Sequence, residues 1–86
     1  MGKYSRLRDK ILAGSADNNI GFTELCQLLG RLGFGKRVKG DHHIFTRDDV
    51  TEIINVQPKG SKAKPYQVKQ IRNILVKYRL GESHVD

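Results

Sequence analysis

The sequence predicts a small α+β domain of two layers, in which helices cover one face of a three-stranded antiparallel sheet and the elements run α-α-β-β-β-α. Three observations predict it. Apolar residues recur at helical spacing before residue 33 and again after residue 65. Between them the period shortens, and turn-forming pairs interrupt brief apolar runs. The 86 residues suffice for one small core and leave no room for a second catalytic domain.

Each element has its own warrant. Tyr4, Leu7, Ile11 and Leu12 mark a short first helix, which the polar run Gly14-Ser15-Ala16-Asp17-Asn18-Asn19 ends. Phe22, Leu25, Cys26, Leu28, Leu29 and Leu32 form the stripe of a second, with Gly21 at its N-cap, Glu24 in the favourable first turn and Gly33 just past its end. Val38, Ile44-Phe45 and Ile53-Ile54-Asn55-Val56 centre three strands separated by turns at Gly40-Asp41 and Asp48-Asp49. The run Pro58-Lys59-Gly60-Ser61-Lys62-Ala63-Lys64 reads as a loop, and Pro65 suits the first position of a last helix. Val68, Ile71, Ile74, Leu75 and Tyr78 are its buried face, and Gly81 is expected to end it. Lys69, Arg72, Asn73, Lys77 and Arg79 lie off that stripe and extend a basic surface. Tyr66 is expected to pack as a staple in the first turn.

Charge narrows the partners. Lys and Arg number 16 against 9 Asp and Glu, a net +7, and residues 31–79 hold 12 of the basic side chains against four acidic ones. Such a field favours an acidic partner and says nothing of fold. The single cysteine, Cys26, excludes an internal disulfide and reads as a small core residue. The start Met1-Gly2-Lys3-Tyr4 has no apolar signal segment and no run approaches a membrane span, so a cytoplasmic protein with no membrane partner is expected.

The stretch Gly40-Asp41-His42-His43, followed by Ile44-Phe45 and flanked by Lys36, Arg37 and Lys39, carries the chemistry. It sets a titratable imidazole at the start of a strand in cationic surroundings, which suits proton transfer on a polyanion. If Ile44 packs on the helices, alternation turns His43 away from the core and toward substrate. From the residues alone, two histidines in a surface turn are the plainer reading. Lys59, Lys62 and Lys64 precede the helix starting near Pro65, where free N–H groups and the positive dipole end favour a phosphate, although a solvated loop would look the same. A metal site is disfavoured, because adjacent histidines suit one tetrahedral centre poorly and His84 is remote in the tail.

Three segments together resemble the HicA (YcfA-like) toxin family: Leu25-Cys26-Gln27-Leu28-Leu29 through Leu32-Gly33-Phe34, then Gly40-Asp41-His42-His43-Ile44-Phe45, then Lys62-Ala63-Lys64-Pro65-Tyr66-Gln67-Val68-Lys69-Gln70-Ile71-Arg72. The resemblance covers about residues 21–81 as a toxin domain, leaving 1–20 as a helical extension and loop and 82–86 as a flexible tail. It implies a double-stranded-RNA-binding-domain-like fold used as a metal-independent ribonuclease against messenger RNA, without cofactor, held inactive by a HicB-type antitoxin. The catalytic histidine of that pattern is the last of Gly-x-x-His, which falls on His43, with Gly40 and His42 as auxiliary neighbours. Lys36, Lys39, Lys59, Lys62 and Lys64 are the expected RNA contacts.

Two departures matter. Asp41 stands where a serine is common, and it would either repel a phosphate or hold a histidine tautomer. Gln57-Pro58-Lys59 stands where relatives often carry a further histidine, so the assignment rests more heavily on His43. The competing class is a non-catalytic RNA-binding module that uses the same basic surface, and the third is a protein-interaction domain without RNA affinity.

Overall fold

Three apolar stripes on helices and one apolar sheet face can be buried only against one another, and the chain does this in two layers. The computed structural model describes residues 2–82, 84 and 85. In chain order they form α1 (Lys3–Ala13), a 3-10 turn (Asp17–Asn19), α2 (Phe22–Arg31), β1 (Gly35–Lys39), β2 (His42–Arg47), β3 (Val50–Val56), β4 (Pro58–Lys59), β5 (Lys62–Ala63), α3 (Pro65–Lys77) and a second 3-10 turn (Leu80–Glu82). Strands β1-β2-β3 make an antiparallel sheet in that order. Leu25, Leu28 and Leu29 of α2 and Val68, Ile71, Ile74 and Leu75 of α3 meet Phe45, Ile54 and Val56 of the sheet in one core, to which α1 adds Ile11. The predicted α-α-β-β-β-α order is the observed one, and the α2-to-α3 part is a double-stranded-RNA-binding-domain-like arrangement.

The segment read as a loop before α3 is instead a minimal hairpin, β4 with β5. Gly60, at φ +63°, supplies the turn, which an L side chain would resist. Two pairs cannot hold such a ribbon alone. It is stapled to the start of α2, where the Phe22 N–H donates to the Ser61 carbonyl at 3.0 Å and the Ala63 N–H to the Ile20 carbonyl at 2.9 Å.

Helix α3 stops at Lys77 rather than at Gly81. Continued helix would carry Leu80 off the stripe that ends at Leu75 and Tyr78. A left-handed residue at Arg79, φ 58°, swings Leu80 into the core instead. Arg72, expected on a basic surface, is tied to Asp17 through two short contacts of 2.8 and 3.1 Å and holds the first 3-10 turn against α3. Its guanidinium, chiefly by hydrogen bonding, keeps the Asp17 carboxyl below its ordinary value. Lys77 is likewise paired with Glu52 at 2.9 Å. Tyr66, expected to pack, is 65% exposed. In the segment expected to be a loose tail, Val85 is buried, while Ser83 and Asp86 lie outside the described residues.

The sheet also corrects the expected orientation of the histidines. Phe45, not Ile44, is the β2 residue packed in the core, so His43 shares the helix-facing side with Phe45, and His42 and Ile44 face outward.

Candidate functional site

The site begins with a turn. Gly40 and Asp41 join β1 to β2 as a two-residue hairpin loop, with Lys39 paired to His42 across it. Only Gly40 has a positive φ, +63°, the type II′ pattern in which glycine takes the first position. Gly40 thus acts through its backbone, and it fixes where β2 starts. Register then sets Val38 opposite His43 and Lys36 opposite Phe45, so these four share the helix-facing side.

Strand β1 extends past the cover of α2, and the gap is an open cleft of about 300 Å³ lined by Phe22, Thr23, Cys26, Gln27, Lys36 and His43. The half-buried His43 ring meets the Phe22 ring edge-on, with centroids 4.9 Å apart and planes at 80°. Its Nδ1 is buried with no hydrogen-bond partner among the described residues, whereas Nε2, which makes no hydrogen bond either, keeps contact with solvent. Packing against Phe22 therefore orients the ring, and one nitrogen is left for an outside molecule. Cys26, expected in the core, is half-buried on the cleft wall, where burial pushes its thiol pKa up against a smaller opposing pull from Lys36.

His42, on the other face, is tied on both nitrogens. Nδ1 lies 3.1 Å from Asn55 Oδ1 and Nε2 lies 3.2 Å from Gln57 Nε2. The Asp41 carboxylate, 3.8 Å from His42 Nε2, is too far to be that ring's hydrogen-bond partner and instead accepts from the Gln57 amide at 3.5 Å.

The five lysines do not form one patch. Lys36 lines the His43 cleft. Lys39 flanks the Gly40 turn on the outward side. Lys59 and Lys62 face each other as a pair on the β4–β5 hairpin, both exposed, and the Lys62 strand bridges to Gly21 beside Phe22. Lys64, half-buried at the N-cap of α3, donates to Gln57 Oε1 at 3.3 Å. Sequence reasoning missed Gln57 as a hub and the cleft wall of α2. The spacing of Phe22 with Cys26 and of Thr23 with Gln27, four residues apart, put those pairs on one helix face, but nothing local showed that β1 would overhang it. Among the described residues no three His, Cys, Asp or Glu side chains are grouped as metal ligands would be, and no helix is long and apolar enough to cross a membrane.

The family model of the HicA toxin of bacterial toxin-antitoxin systems matches residues 22–77, from the first residue of α2 to the last of α3. The chain belongs to the HicA toxin family. As a HicA toxin it has an antitoxin for a partner and RNA as its general target. Helix α1 lies outside the matched stretch, although Ile11 is fully buried in the shared core. No curated protein and no solved structure gives a significant match to the chain.

Proposed function

We propose that this HicA-family chain is a metal-independent endoribonuclease that cleaves messenger RNA in the cytoplasm, with His43 as the proton-transfer group and a HicB-type antitoxin as its inhibitor. The observation that carries the reading is the solvent-facing Nε2 of His43 in a cleft shared with Lys36. RNA brings its own nucleophile, so the protein need only align it, move a proton and offset charge. Nε2 takes the proton of a ribose 2′-hydroxyl, the O2′ forms a bond to the adjacent phosphorus, and the bond from phosphorus to O5′ breaks. The O5′ leaves with a proton returned by the imidazolium or by water, which gives a 2′,3′-cyclic phosphate and a 5′-hydroxyl. Lys36 offsets the charge that builds on the phosphoryl oxygens.

The rate follows from the same geometry. One positioned acid or base is worth roughly 10²–10⁴-fold. Whether the ring acts as base or as acid, it must carry a proton on Nδ1, which has no acceptor among the described residues, and an unsatisfied buried donor costs about 1–3 kcal/mol. A modest enzyme results, and a modest enzyme is toxic when its substrate is messenger RNA as a class. Lys59 and Lys62 add to the case: like charges directly opposite each other in a hairpin are destabilising, and a phosphate between them relieves the repulsion. With Lys36 and Lys39 they are the proposed backbone contacts.

Expression of wild type and His43→Ala in cells tests the reading, with growth and message abundance as readouts. Arrest with loss of messages for wild type alone is expected. Arrest by both puts the chemistry elsewhere, and arrest by neither, with RNA binding retained, points to the non-catalytic module.

A further inference from the structure

We propose that Gln57 is a positioning residue: held by Lys64, it selects for the neutral His42 ring the tautomer with its proton on Nδ1, and through that ring it braces the first residue of β2, the neighbour of His43. The functional half of the inference rests on the reading of His43 given above. The tautomer does not.

The argument is one of donors and acceptors. An ammonium group only donates, so the Gln57 side-chain atom 3.3 Å from Lys64 Nζ is the carbonyl Oε1. The amide nitrogen then faces the other way, 3.2 Å from His42 Nε2 and 3.5 Å from the two Asp41 carboxylate oxygens. An amide NH2 also only donates, so it gives one hydrogen to Asp41 and one to His42 Nε2, which has to be the unprotonated nitrogen. The ring proton is left on Nδ1, where it donates to Asn55 Oδ1 at 3.1 Å. Turning the Gln57 amide over would set its NH2 against the Lys64 ammonium, so the cation locks the whole chain of bonds.

Gln57 is itself anchored. Its backbone N–H donates to Oε1 of Gln67 at 3.3 Å, and Gln67 is a polar side chain only 1% exposed. The path therefore runs from the first turn of α3 through Gln57 to Asp41 and His42, and on to β3 at Asn55. His42 shares a peptide bond with His43, whose Nδ1 has no hydrogen bond among the described residues. The side-chain network therefore braces the backbone next to His43 from the outward face, while the ladder sets the register of His43 and Phe22 packs on its ring from the other face. Asp41 takes part only as the acceptor of the second Gln57 hydrogen.

Long-range 1H–15N NMR of the ring nitrogens, paired with RNA-cleavage kinetics, tests this on the full chain and on Gln57→Leu and Lys64→Met, with thermal melts to establish that each variant is folded. In wild type, the neutral ring of His42 should be a single tautomer, protonated at Nδ1. Lys64→Met frees the amide to turn over and should give a mixture of tautomers. Gln57→Leu should do the same, shift the His43 ring signals, and lower kcat by roughly 10- to 100-fold, the scale of a small misplacement of a catalytic group, with KM unchanged. His42 protonated at Nε2 or exchanging in wild type overturns the proposal. So do variants that leave both rings unchanged, or a Gln57→Leu effect confined to KM, which would make Gln57 an RNA contact. The predicted His42 spectrum in a protein that cleaves no RNA would sustain the locked ring and defeat the ribonuclease reading alone.

Discussion

Replacing Phe22 with leucine removes the ring that meets His43 edge-on at 4.9 Å and keeps an apolar side chain at the start of α2. Such an aromatic pair is worth about 0.5–1.5 kcal/mol beyond its buried area. A leucine also leaves a small void, which at about 24 cal/mol per Å³ adds up to roughly 0.5–1 kcal/mol for a few tens of Å³. Together these amount to a loss of about 1–2.5 kcal/mol, or a fall in Tm of roughly 4–20 °C for a domain of this size. The chemical effect should be larger than the loss of stability suggests. With Nδ1 unbonded among the described residues, the ring itself is held by packing, and a misdirected Nε2 should cost about 10-fold or more in cleavage at a temperature where both proteins are folded. Thermal melts and single-turnover cleavage of a short RNA measure the two quantities. A variant that melts lower yet cleaves at the wild-type rate would refute the argument that Phe22 aims the histidine.

Other consequences follow from single contacts. Lys36→Gln should weaken RNA binding and lower the slope of log affinity against log salt by about 0.7, the value for one phosphate on a single strand, whereas an unchanged slope would remove Lys36 from the interface. The hairpin pair Lys59→Ala with Lys62→Ala should raise the melting temperature slightly, because like charges no longer face each other, while weakening RNA binding; a protein that loses stability instead would show that the pair has a structural partner. Glu52 is held at about 2, below its ordinary 4.5, first by the Lys77 ammonium and then by the Tyr78 hydroxyl. A carboxyl depressed in the folded state stabilises above its unfolded value and ceases to as pH falls through the folded one. The Tm gap between wild type and Glu52→Gln should therefore be full at neutral pH and close between about pH 4.5 and 2, and a gap that persists at the acid end would contradict the assignment.

Helical periodicity carried most of the architecture. The Leu25, Leu28, Leu29 stripe and the Val68, Ile71, Leu75 stripe are buried as their spacing requires, and Gly33, Gly40 and Pro65 stand at the element boundaries that their backbones favour. Alternation was less decisive. It fixes that Ile44 and Phe45 oppose each other but not which one faces the helices, and that choice depends on the fit of the larger Phe45 ring against Ile54 and the leucines of α2. The direction of His43 was inverted for that reason, yet the ring still reaches solvent, because β1 overhangs the edge of α2 and leaves the cleft open. Cys26 packs against the core but only half-buried, because a stripe has edges and sequence does not tell where the opposing layer stops, while Tyr66, expected as a staple, is exposed. The end of α3 was set by Leu80, whose demand for burial outweighed the cost of a left-handed arginine. Gln57 was legible only as a residue at which a histidine was missing. Its role depends on Lys64, Asp41 and His42, which meet through the fold and not through spacing.

The central claim is that an imidazole with one open nitrogen moves the proton of a ribose hydroxyl. The most direct measurement is to incubate purified protein and its His43→Ala variant with a defined single-stranded RNA in the presence of a chelator, and to identify the chemical ends of the fragments. Fragments ending in 2′,3′-cyclic phosphate and 5′-hydroxyl from wild type, with none from a variant that still binds the RNA, are predicted. Equal cleavage by the variant, or fragments carrying 5′-phosphate, would contradict the account.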